Sequence, residues 1–369
     1  MVKFSALPKE KRRLTFYSEG LNYWPHLEPL ITELLKTSDI FITYISSNKN
    51  DPGLLVQHKN FLSFEIDDGP IRNWFFENID TDVMVMTMPD INQYQVKRSK
   101  KDVHYVYIQH SLVSLHMVYR TGAFDFYDTI FCAGPHHIKE MRALEKSRNL
   151  KKHTLVEHGY ARLDSIIKEV DSRKEKHKVD KENLHILIAP SWGDNGTIES
   201  GVGKKLVGLL LEKKYRVTLR PHPQTLIFYK ERVLSIVNKH KDNALFDFEG
   251  NVAGQDSLHD SDLMISDWSG AALDYALGMK KPVLFVDVPR KINNPDYPKI
   301  DIEPLEVSIR SKLGGIIDPN NIKINDEYNI DYDELEGLVF NLGRSDKVGS
   351  RELIKICEQA TKTKKVYKE

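Results

Sequence analysis

The stretch SDLMISDWSGAALDYA at residues 261–276 joins a short apolar run to a helical pattern through small polar residues. Residues 263–265 have the composition of a buried strand, and residues 270–278 have the spacing of a helix. A strand that ends in a polar turn and continues into a helix is the repeating unit of doubly wound α/β sheets. The stretch therefore predicts a parallel sheet with a ligand-binding edge at the carboxyl ends of its strands.

The same alternation of apolar runs and amphipathic segments extends along the rest of the chain. Further strands are predicted at residues 14–17, 40–45, 61–66, 83–88, 105–108, 129–132, 185–189, 215–219, 244–248 and 283–286. Further helices are predicted at residues 24–36, 135–145, 203–213, 225–237, 332–342 and 350–363. Alternation of this kind predicts βαβ units around parallel sheets, so the fold class is α/β.

A polar segment at residues 171–183 separates two such series of strands and is the best candidate for an interdomain linker. A length of 369 residues also corresponds to two domains. We predict two Rossmann-like, doubly wound domains facing across a cleft, an acceptor domain at 1–175 and a nucleotide-donor domain at 184–345. The helix in residues 346–369 is expected to pack back on the first domain.

Charge and composition exclude several classes of protein. The chain has 53 basic and 53 acidic residues, a balance that does not indicate nucleic-acid binding. Basic clusters near the two ends are either solvated or in peripheral contact with an anionic membrane. The clustered residues are Lys9, Lys11, Arg12, Arg13, Lys362, Lys364, Lys365 and Lys368.

The sequence also lacks the usual signatures of metal, cofactor and membrane-spanning proteins. Two cysteines, Cys132 and Cys357, make neither a disulfide framework nor an ordinary zinc site. P-loop, dinucleotide-binding and zinc-protease motifs are missing, and no Asp-x-Asp follows a predicted strand. We therefore expect a cytoplasmic protein without metal or cofactor. Membrane contact, if made, is expected to be peripheral and at the inner face.

The motif LRPHP at residues 219–223 directly follows a predicted strand. Two prolines fix the backbone around His222, which suits a hydrogen bond to a phosphate oxygen or a proton transfer. The alternative is a turn that carries a surface histidine. We predict that His222 is catalytic and that Arg220 binds the donor.

The helix predicted to begin near Ser269 is a candidate anion site. Its first amide groups have no partner within the helix, and the helix dipole favours negative charge there. Ser266, Asp267, Ser269 and Gly270 are therefore predicted to form the site of a donor diphosphate. Because the charge of Asp267 repels phosphate, we expect its carboxylate to cap the helix or to bond a loop. The alternative is a capped helix without a ligand.

His110 holds the corresponding position in the first half, after the strand at 105–108 and at the start of a predicted helix. We predict that it faces His222 across the cleft and acts as the base for an acceptor hydroxyl; the alternative is a helix-capping histidine. Arg162 either pairs with Asp164 or reaches an anion. Supporting positions at other strand ends are Ser18, Glu19, Gly20, Ser111 and Arg162 for the acceptor, and Ser191 and Trp192 for the donor.

Taken in order, five motifs over about residues 100–290 resemble the CDP-glycerol glycerophosphotransferase family, which builds teichoic acids and related capsule polymers. The motifs are IAPSW at 188–192, LRPHP at 219–223, SDLMISDWSG at 261–270, LDYA at 273–276 and KPVLF at 281–285. The resemblance implies the GT-B fold, and it implies that His222, Ser269 and Gly270 contact the donor diphosphate. It also matches His110 and Arg162 to first-domain motifs of the family.

The resemblance implies a phosphoryl transfer. A hydroxyl of a cell-surface polymer, or of its lipid-linked precursor, attacks the phosphorus that bears glycerol, and CMP leaves. One alternative is a GT-B glycosyltransferase, in which the attack falls on the anomeric carbon of a nucleotide-sugar. Another is a binding protein whose two lobes close on a nucleotide without chemistry.

Overall fold

The computed structural model describes residues 2–66, 69–173, 184–250, 255–324 and 328–366. The chain divides into two compact units, each assembled from separate stretches of sequence. The first unit comprises Met1–Ser165, Asn293–Ile302 and Gly337–Glu369, and the second comprises Ile166–Ile292 and Glu303–Glu336. These divisions differ from the predicted ones at 175 and 345. Most of the predicted linker, residues 174–183, lies outside the described residues.

Each unit contains one parallel sheet. In the described residues the strands are β1 (Leu14–Ser18), β2 (Ile42–Ser46), β3 (Phe61–Glu65), β4 (Val83–Met86), β5 (His104–Ile108), β6 (Thr129–Cys132), β7 (Thr154–Glu157), β8 (His185–Ile188), β9 (Arg216–Leu219), β10 (Phe246–Phe248), β11 (Leu263–Ser266), β12 (Val283–Val286) and β13 (Gly314–Ile317). The strand orders are β3-β2-β1-β4-β5-β6-β7 and β10-β9-β8-β11-β12-β13. The direction of each order reverses once, between β1 and β4 and between β8 and β11. Such switch points are where doubly wound sheets bind ligands.

Helices connect these strands. They are α1 (Val2–Ser5), α2 (Trp24–Thr37), α3 (Pro70–Asn78), α4 (Pro135–Arg148), α5 (Ala161–Arg173), α6 (Val202–Glu212), α7 (Pro223–Phe228), α8 (Lys230–His240), α9 (Asp256–Asp260), α10 (Gly270–Met279), α11 (Leu305–Ser308), α12 (Tyr332–Glu336) and α13 (Ser345–Val366). Short 3-10 turns lie at Lys9–Arg12, Pro52–Leu55, Tyr297–Lys299 and Arg310–Lys312. None of the helices in the described ranges combines the length and the apolar composition that a membrane crossing needs.

Burial follows from the parallel arrangement of the strands. Both faces of β1, β4, β8 and β11 are covered, so every residue of these strands is buried. In the first unit, α13 packs against α2, where Leu353 and Ile356 share a core with Leu30 and Leu34. The two cysteines are buried and unpaired, and burial raises the pKa of each thiol to about 12.

Three predicted helices differ from the structure. The helix predicted at 225–237 is divided into α7 and α8 at Tyr229, whose ψ of 34° is not helical. The helix predicted at 332–342 ends at Glu336 as α12. The helix expected after His110 does not form, because residues 109–128 make a series of turns before β6 begins.

Candidate functional site

The loops after β8 and β11 flank the switch point of the second sheet, and the carboxylate of Asp267 ties them together. Its Oδ1 accepts hydrogen bonds from the amides of Ser191, at 2.7 Å, and Trp268, at 2.6 Å. Its Oδ2 accepts from the amide and the hydroxyl of Thr197, at 3.1 and 2.8 Å. Asp267 is 1% exposed. Asp267 therefore bonds the loop that follows β8, which is one of the two roles expected for it from the sequence. These bonds hold that loop against the start of the loop after β11.

His222 follows β9 at the same edge of the sheet. Register pairs Leu219 with Ile188 and Ile188 with Ile265, so the carboxyl ends of β9, β8 and β11 lie in one row. The Nδ1 atom of His222 accepts a hydrogen bond from the amide of Gln224 at 3.1 Å and so caps α7. Burial and the nearby cation of Lys291 lower its pKa to about 4. The imidazole is therefore neutral at neutral pH, with its hydrogen on Nε2, which makes Nε2 a hydrogen-bond donor.

The amino end of α10 lies two strands from His222, about 10 Å away across the sheet. Ser269 is the N-cap residue, with an extended backbone at φ −85° and ψ 132°. Among the described residues, its hydroxyl makes no hydrogen bond to an amide of the first turn. Gly270 begins the helix, as the sequence predicts, and both residues are partly exposed. The hydroxyl and the first amides can therefore donate to an anion.

Trp192 and Lys291 complete this edge. The indole of Trp192 stacks on His222, with ring centroids 6.1 Å apart and planes 28° apart. The Nζ atom of Lys291 lies 4.9 Å from the Trp192 ring centroid, a cation–π geometry. Burial lowers the pKa of Lys291, and the carboxylates of Asp267 and Glu199 oppose that shift. A half-buried ammonium group thus stands among the residues predicted to bind the donor.

Sequence reasoning missed Lys291, which lies five residues beyond the end of β12 in a segment with no recognised motif. Its position after a central strand was the available signal, because residues that follow such strands gather at one edge of a parallel sheet. Arg310 was missed as well. Its guanidinium stacks 4.0 Å from the Trp268 ring centroid and donates to the carbonyl of Val286 at 2.7 Å.

Two predicted donor residues direct their side chains elsewhere. Nη1 of Arg220 contacts Glu249 at 3.2 Å and the hydroxyl of Ser257 at 3.1 Å. Ser266 is fully buried, and its hydroxyl donates to the carbonyl of Ala189 at 2.7 Å. Both residues therefore shape the edge of the sheet, while Trp192, His222, Ser269 and Gly270 present groups to it.

In the first unit, His110 follows β5 and is enclosed by aromatic rings. Its Nδ1 atom lies 3.0 Å from the hydroxyl of Tyr107. Tyr23 and His26 approach from the start of α2, with ring centroids 5.8 and 6.0 Å from that of His110, and Tyr119 lies at 6.0 Å. Burial lowers the pKa of His110 to about 4. Its imidazole is thus neutral at neutral pH, the form that a general base requires.

The chain after His110 is held by side chains from the first half of α4. His136 and His137 bond through Nε2 to the carbonyls of Leu112 and Val113, at 2.9 and 3.0 Å. Glu140 accepts from the amide of Leu115 at 2.6 Å. These bonds occupy backbone groups that a helix would use internally, so they explain why the predicted helix is replaced by turns.

Other predicted acceptor residues lie around His110 in different roles. Ser18 is fully buried, and its Oγ accepts from the amide of Gly20 at 3.0 Å. At Gly20, φ is 131° and a Cβ atom would lie 2.6 Å from Asn48, so a larger residue would strain this turn. Glu19 raises the pKa of Tyr23, although burial does so more, and its carboxylate therefore lies close to that ring.

Ser111 and Arg162 remain beside His110. The hydroxyl of Ser111 accepts from the amide of Val113 at 3.4 Å and is partly exposed. Arg162 lies near the start of α5 and helps to lower the pKa of His26, after burial and His110. Asp164 instead accepts from the amides of Gly343 and Ser345, at 2.6 and 2.9 Å. These bonds engage Asp164 with the chain that leads into α13.

Among the residues that the structure describes, no group of three or more His, Cys, Asp or Glu side chains is placed to hold a metal ion. At the edge of the second sheet, the available groups include the first amides of α10, the neutral imidazole of His222 and the ammonium group of Lys291.

Comparisons with solved structures concern the fold. The wall teichoic acid polymerase TagF is similar at a TM-score of 0.57 and 15% identity, covering 95% of this chain and 89% of that one. The UDP-GlcNAc 2-epimerase of Methanocaldococcus jannaschii is similar at a TM-score of 0.60 and 14% identity, covering 93% and 99%. At these identities the likeness shows the fold alone, and it confirms the predicted GT-B-like class of two α/β units.

A sequence relative agrees with this result over a shorter range. The chain is 31% identical over 146 residues to the teichoic acid poly(glycerol phosphate) polymerase of Bacillus spizizenii. That match covers 36% of this chain and 35% of the relative, so it spans about a third of the relative's length.

The family comparison covers the loop of His110 as well as the donor-side motifs. Residues 85–289 match the family described as CDP-glycerol:poly(glycerophosphate) glycerophosphotransferase. These residues are more than half of the 369-residue chain, and they include all five motifs that carry the resemblance described from the sequence. The protein therefore belongs to the CDP-glycerol:poly(glycerophosphate) glycerophosphotransferase family.

Proposed function

We propose that the protein transfers glycerol phosphate, or a related polyol phosphate, from a CDP-activated donor to a hydroxyl group and releases CMP. The acceptor is a cell-surface polymer, such as a teichoic acid or capsule chain, or its lipid-linked precursor. Family membership supports the reaction class. The observation that carries the proposal is the edge of the second sheet at which His222, Lys291 and the amino end of α10 lie.

These groups suit a nucleoside diphosphate. In the proposed complex, the amides at Ser269 and Gly270 donate to one phosphate and Nε2 of His222 donates to the other, since both elements follow strands that end at the same edge of the sheet. Lys291 offsets the added negative charge. Trp192 offers a flat surface beside the diphosphate. Charge that develops on the departing CMP is stabilised by donors already in position.

His110 is the proposed base for the acceptor hydroxyl. Attack of the hydroxyl oxygen on the phosphorus that bears glycerol forms a new P–O bond and breaks the bond to the bridging oxygen of the diphosphate. The hydroxyl proton passes to the imidazole, and CMP leaves with the bridging oxygen. The lowered pKa of His110 keeps the imidazole unprotonated before the reaction.

The test is donor turnover. Purified protein is incubated with CDP-glycerol, CDP-ribitol and common UDP-sugars, and release of CMP and UDP is measured by chromatography. We expect CMP from a CDP-polyol and selective thermal stabilisation by cytidine nucleotides. UDP release from a nucleotide-sugar would replace the proposal with a glycosyltransferase. Binding of a nucleotide without turnover, in the presence of polyol and sugar acceptors, would indicate a binding protein.

We also propose peripheral contact with anionic lipid at the inner face of the membrane, in a cytoplasmic protein. Lys9 and Lys11 are exposed, whereas Arg12 pairs with Asp80 at 3.0 Å. The side chains of Lys362, Lys364, Lys365 and Lys368 lie outside the described residues. Sedimentation with vesicles containing phosphatidylglycerol tests this contact. We expect salt-sensitive binding that neutral vesicles do not give; equal binding to both would contradict it.

A further inference from the structure

A cavity of about 460 Å³ opens in the first unit beside the end of β4. Its lining includes Arg72, Met88, Asp90, Tyr94 and Gln95. The cavity lies at the switch point of the first sheet, where β4 pairs with β1, so its position is one that doubly wound sheets use for ligands. Its volume is in the range of small-molecule sites.

The wall of this cavity is a fixed structure. Asp90 and Asn92 both have left-handed backbones, with φ of 65° and 63°. The amide of Asp90 donates to the carbonyl of Ala123 at 2.8 Å, and that of Asn92 donates to the carbonyl of Val96 at 2.7 Å. Asp and Asn adopt the left-handed region more readily than other non-glycine residues, and here they shape a tight turn. These two bonds hold the backbone of the turn that carries Asp90.

The lining combines a flat aromatic surface with polar groups that include both hydrogen-bond donors and hydrogen-bond acceptors. Tyr94 is 55% exposed, and the guanidinium carbon of Arg120 lies 5.2 Å from its ring centroid. Arg72 and Gln95 supply donors, while Asp90 and Gln95 supply acceptors. Burial raises the pKa of the Asp90 carboxyl, and Arg120 opposes that shift. Ligands with alternating hydroxyl donors and acceptors on an apolar carbon face match such a lining better than a bare phosphate, which Asp90 would repel.

A chain of three contacts links the cavity wall to His110. Tyr127 donates its hydroxyl to the carbonyl of Met88 in the cavity wall. Its ring packs on Tyr107 with centroids 5.1 Å apart, and the Tyr107 hydroxyl lies 3.0 Å from Nδ1 of His110. Arg72 also lies near the hydroxyl of Tyr17, a residue of β1. The cavity wall is thus linked to the side chain of His110 through Tyr127 and Tyr107.

We propose that this cavity binds the terminal sugar or polyol unit of the acceptor and directs one of its hydroxyls toward His110. Tyr94 supports the carbon face of that unit, and Asp90, Gln95 and Arg72 bind its other hydroxyls. The inference rests on the proposed function, since it assigns the acceptor side of that reaction. It makes the substrate class a polyhydroxylated chain end.

The test compares Tyr94→Ala and Gln95→Ala with Trp74→Ala, a matched control. Trp74 is 56% exposed, lies in the same unit on α3, and is not part of the cavity lining. Saturation-transfer NMR measures binding of N-acetylglucosamine, glycerol and ribitol to the full chain, with inorganic phosphate and glycerol 3-phosphate in competition. We expect binding of at least one neutral probe, weakened about tenfold by the two cavity substitutions and unchanged in Trp74→Ala.

Kinetics provide the second measurement. With the probe that binds as the acceptor, Tyr94→Ala should raise its KM about tenfold and leave the KM of CDP-glycerol unchanged. The inference is overturned if no neutral probe binds, if inorganic phosphate displaces the probe competitively, or if the cavity variants bind like wild type. Failure of the wild-type chain to release CMP from any CDP-polyol would instead contradict the proposed function, because probe binding is measured without a donor.

Discussion

At the scale of single residues, the protonation state of His222 is set by its neighbours. Its Nδ1 atom accepts from the Gln224 amide, and burial with Lys291 nearby lowers its pKa to about 4. A charged imidazole would attract phosphate more strongly, yet it would lose the capping bond to α7. The fold therefore keeps a neutral donor at this position and leaves positive charge to Lys291.

Replacement of His222 tests this role directly. His222→Ala should lower the kcat of CMP release at least 100-fold, on the order of 10² for loss of such a donor, while circular dichroism stays unchanged. His240→Ala, a partly buried histidine of the same unit at the end of α8, is the control. In the wild type, the acidic limb of kcat/KM should lie near pH 4 to 5 rather than 6.5. A near-normal rate in His222→Ala would remove this residue from the mechanism.

Lys291 permits a second substitution in the same edge. Lys291→Met should lower kcat/KM for the CDP donor by about 10- to 100-fold, because a charge-assisted contact contributes about 1.5 to 3 kcal/mol. Lys291→Arg should retain more of the activity, and Lys230→Met, at the exposed start of α8, should match wild type. Steady-state kinetics at fixed ionic strength measures these values. An unchanged kcat/KM in Lys291→Met would mean that the donor binds without this cation.

At the scale of elements, the sequence predicted the strands better than the connections. Apolar runs located β1 to β6 and β8 to β12, because parallel strands that are covered on both faces are rich in apolar residues. β13 was missed because it begins with Gly314 and Gly315, which weaken a strand pattern. At Gly314 a Cβ atom would lie 2.5 Å from the carbonyl of Val283, so close strand packing explains the glycine. That reason is visible only in the folded chain.

In the candidate site, too, the sequence predicted positions along the chain better than it predicted side-chain contacts. Motif positions after β9 and β11 correctly predicted that His222, Ser269 and Gly270 lie at one edge, because strand ends in a parallel sheet converge there. The direction of a side chain is decided by tertiary partners, so the sequence did not indicate that Arg220 would turn to Glu249. It also did not indicate that Lys291 would stack on Trp192.

The loop between β8 and α6 depends on one carboxylate, so Asp267→Asn is an element-scale test. An amide has one acceptor oxygen and cannot accept at both Oδ positions, so the bonds to Thr197 or to Ser191 are lost. We expect unfolding free energy to fall by about 2 kcal/mol and the KM of the donor to rise. Urea denaturation measures the first effect, with the exposed Asp242→Asn as control. Wild-type stability would contradict the bonding role of Asp267.

At the scale of the whole molecule, buried histidines make stability depend on pH. Burial lowers the pKa of His110, His158 and His222 to about 4, against an ordinary value of 6.5. Between these values the unfolded chain binds more protons than the folded chain, so stability falls as pH falls. Burial raises the pKa of Asp90 and Glu199, which acts in the opposite direction. Further buried histidines, including His26, His136 and His137, add to the first effect.

We therefore expect the urea midpoint to be lower at pH 5.0 than at pH 7.5. Replacing His58, which is exposed on the surface of the first unit, with Gln should leave the difference between the two midpoints unchanged. Circular dichroism at matched ionic strength provides the measurement. An equal or higher midpoint at pH 5.0 would show that the raised carboxyl pKa values dominate.

The discontinuous units also limit how this protein can be rearranged. The chain changes unit at 165/166, 292/293, 302/303 and 336/337, and Asn293 and Asn294 bond to the backbone of Met117 and His116 in the first unit. A single recombination point between two related genes would thus combine pieces of both units from different parents. Exchange of the second unit as a module requires grafting 166–292 and 303–336 together while keeping the host's ten-residue segment between them. Because each unit is built from separate stretches of sequence, we expect proteins with these discontinuous units to diversify by point substitution at the two sheet edges. Exchange of the amino-terminal or carboxyl-terminal half of the gene should be tolerated less often.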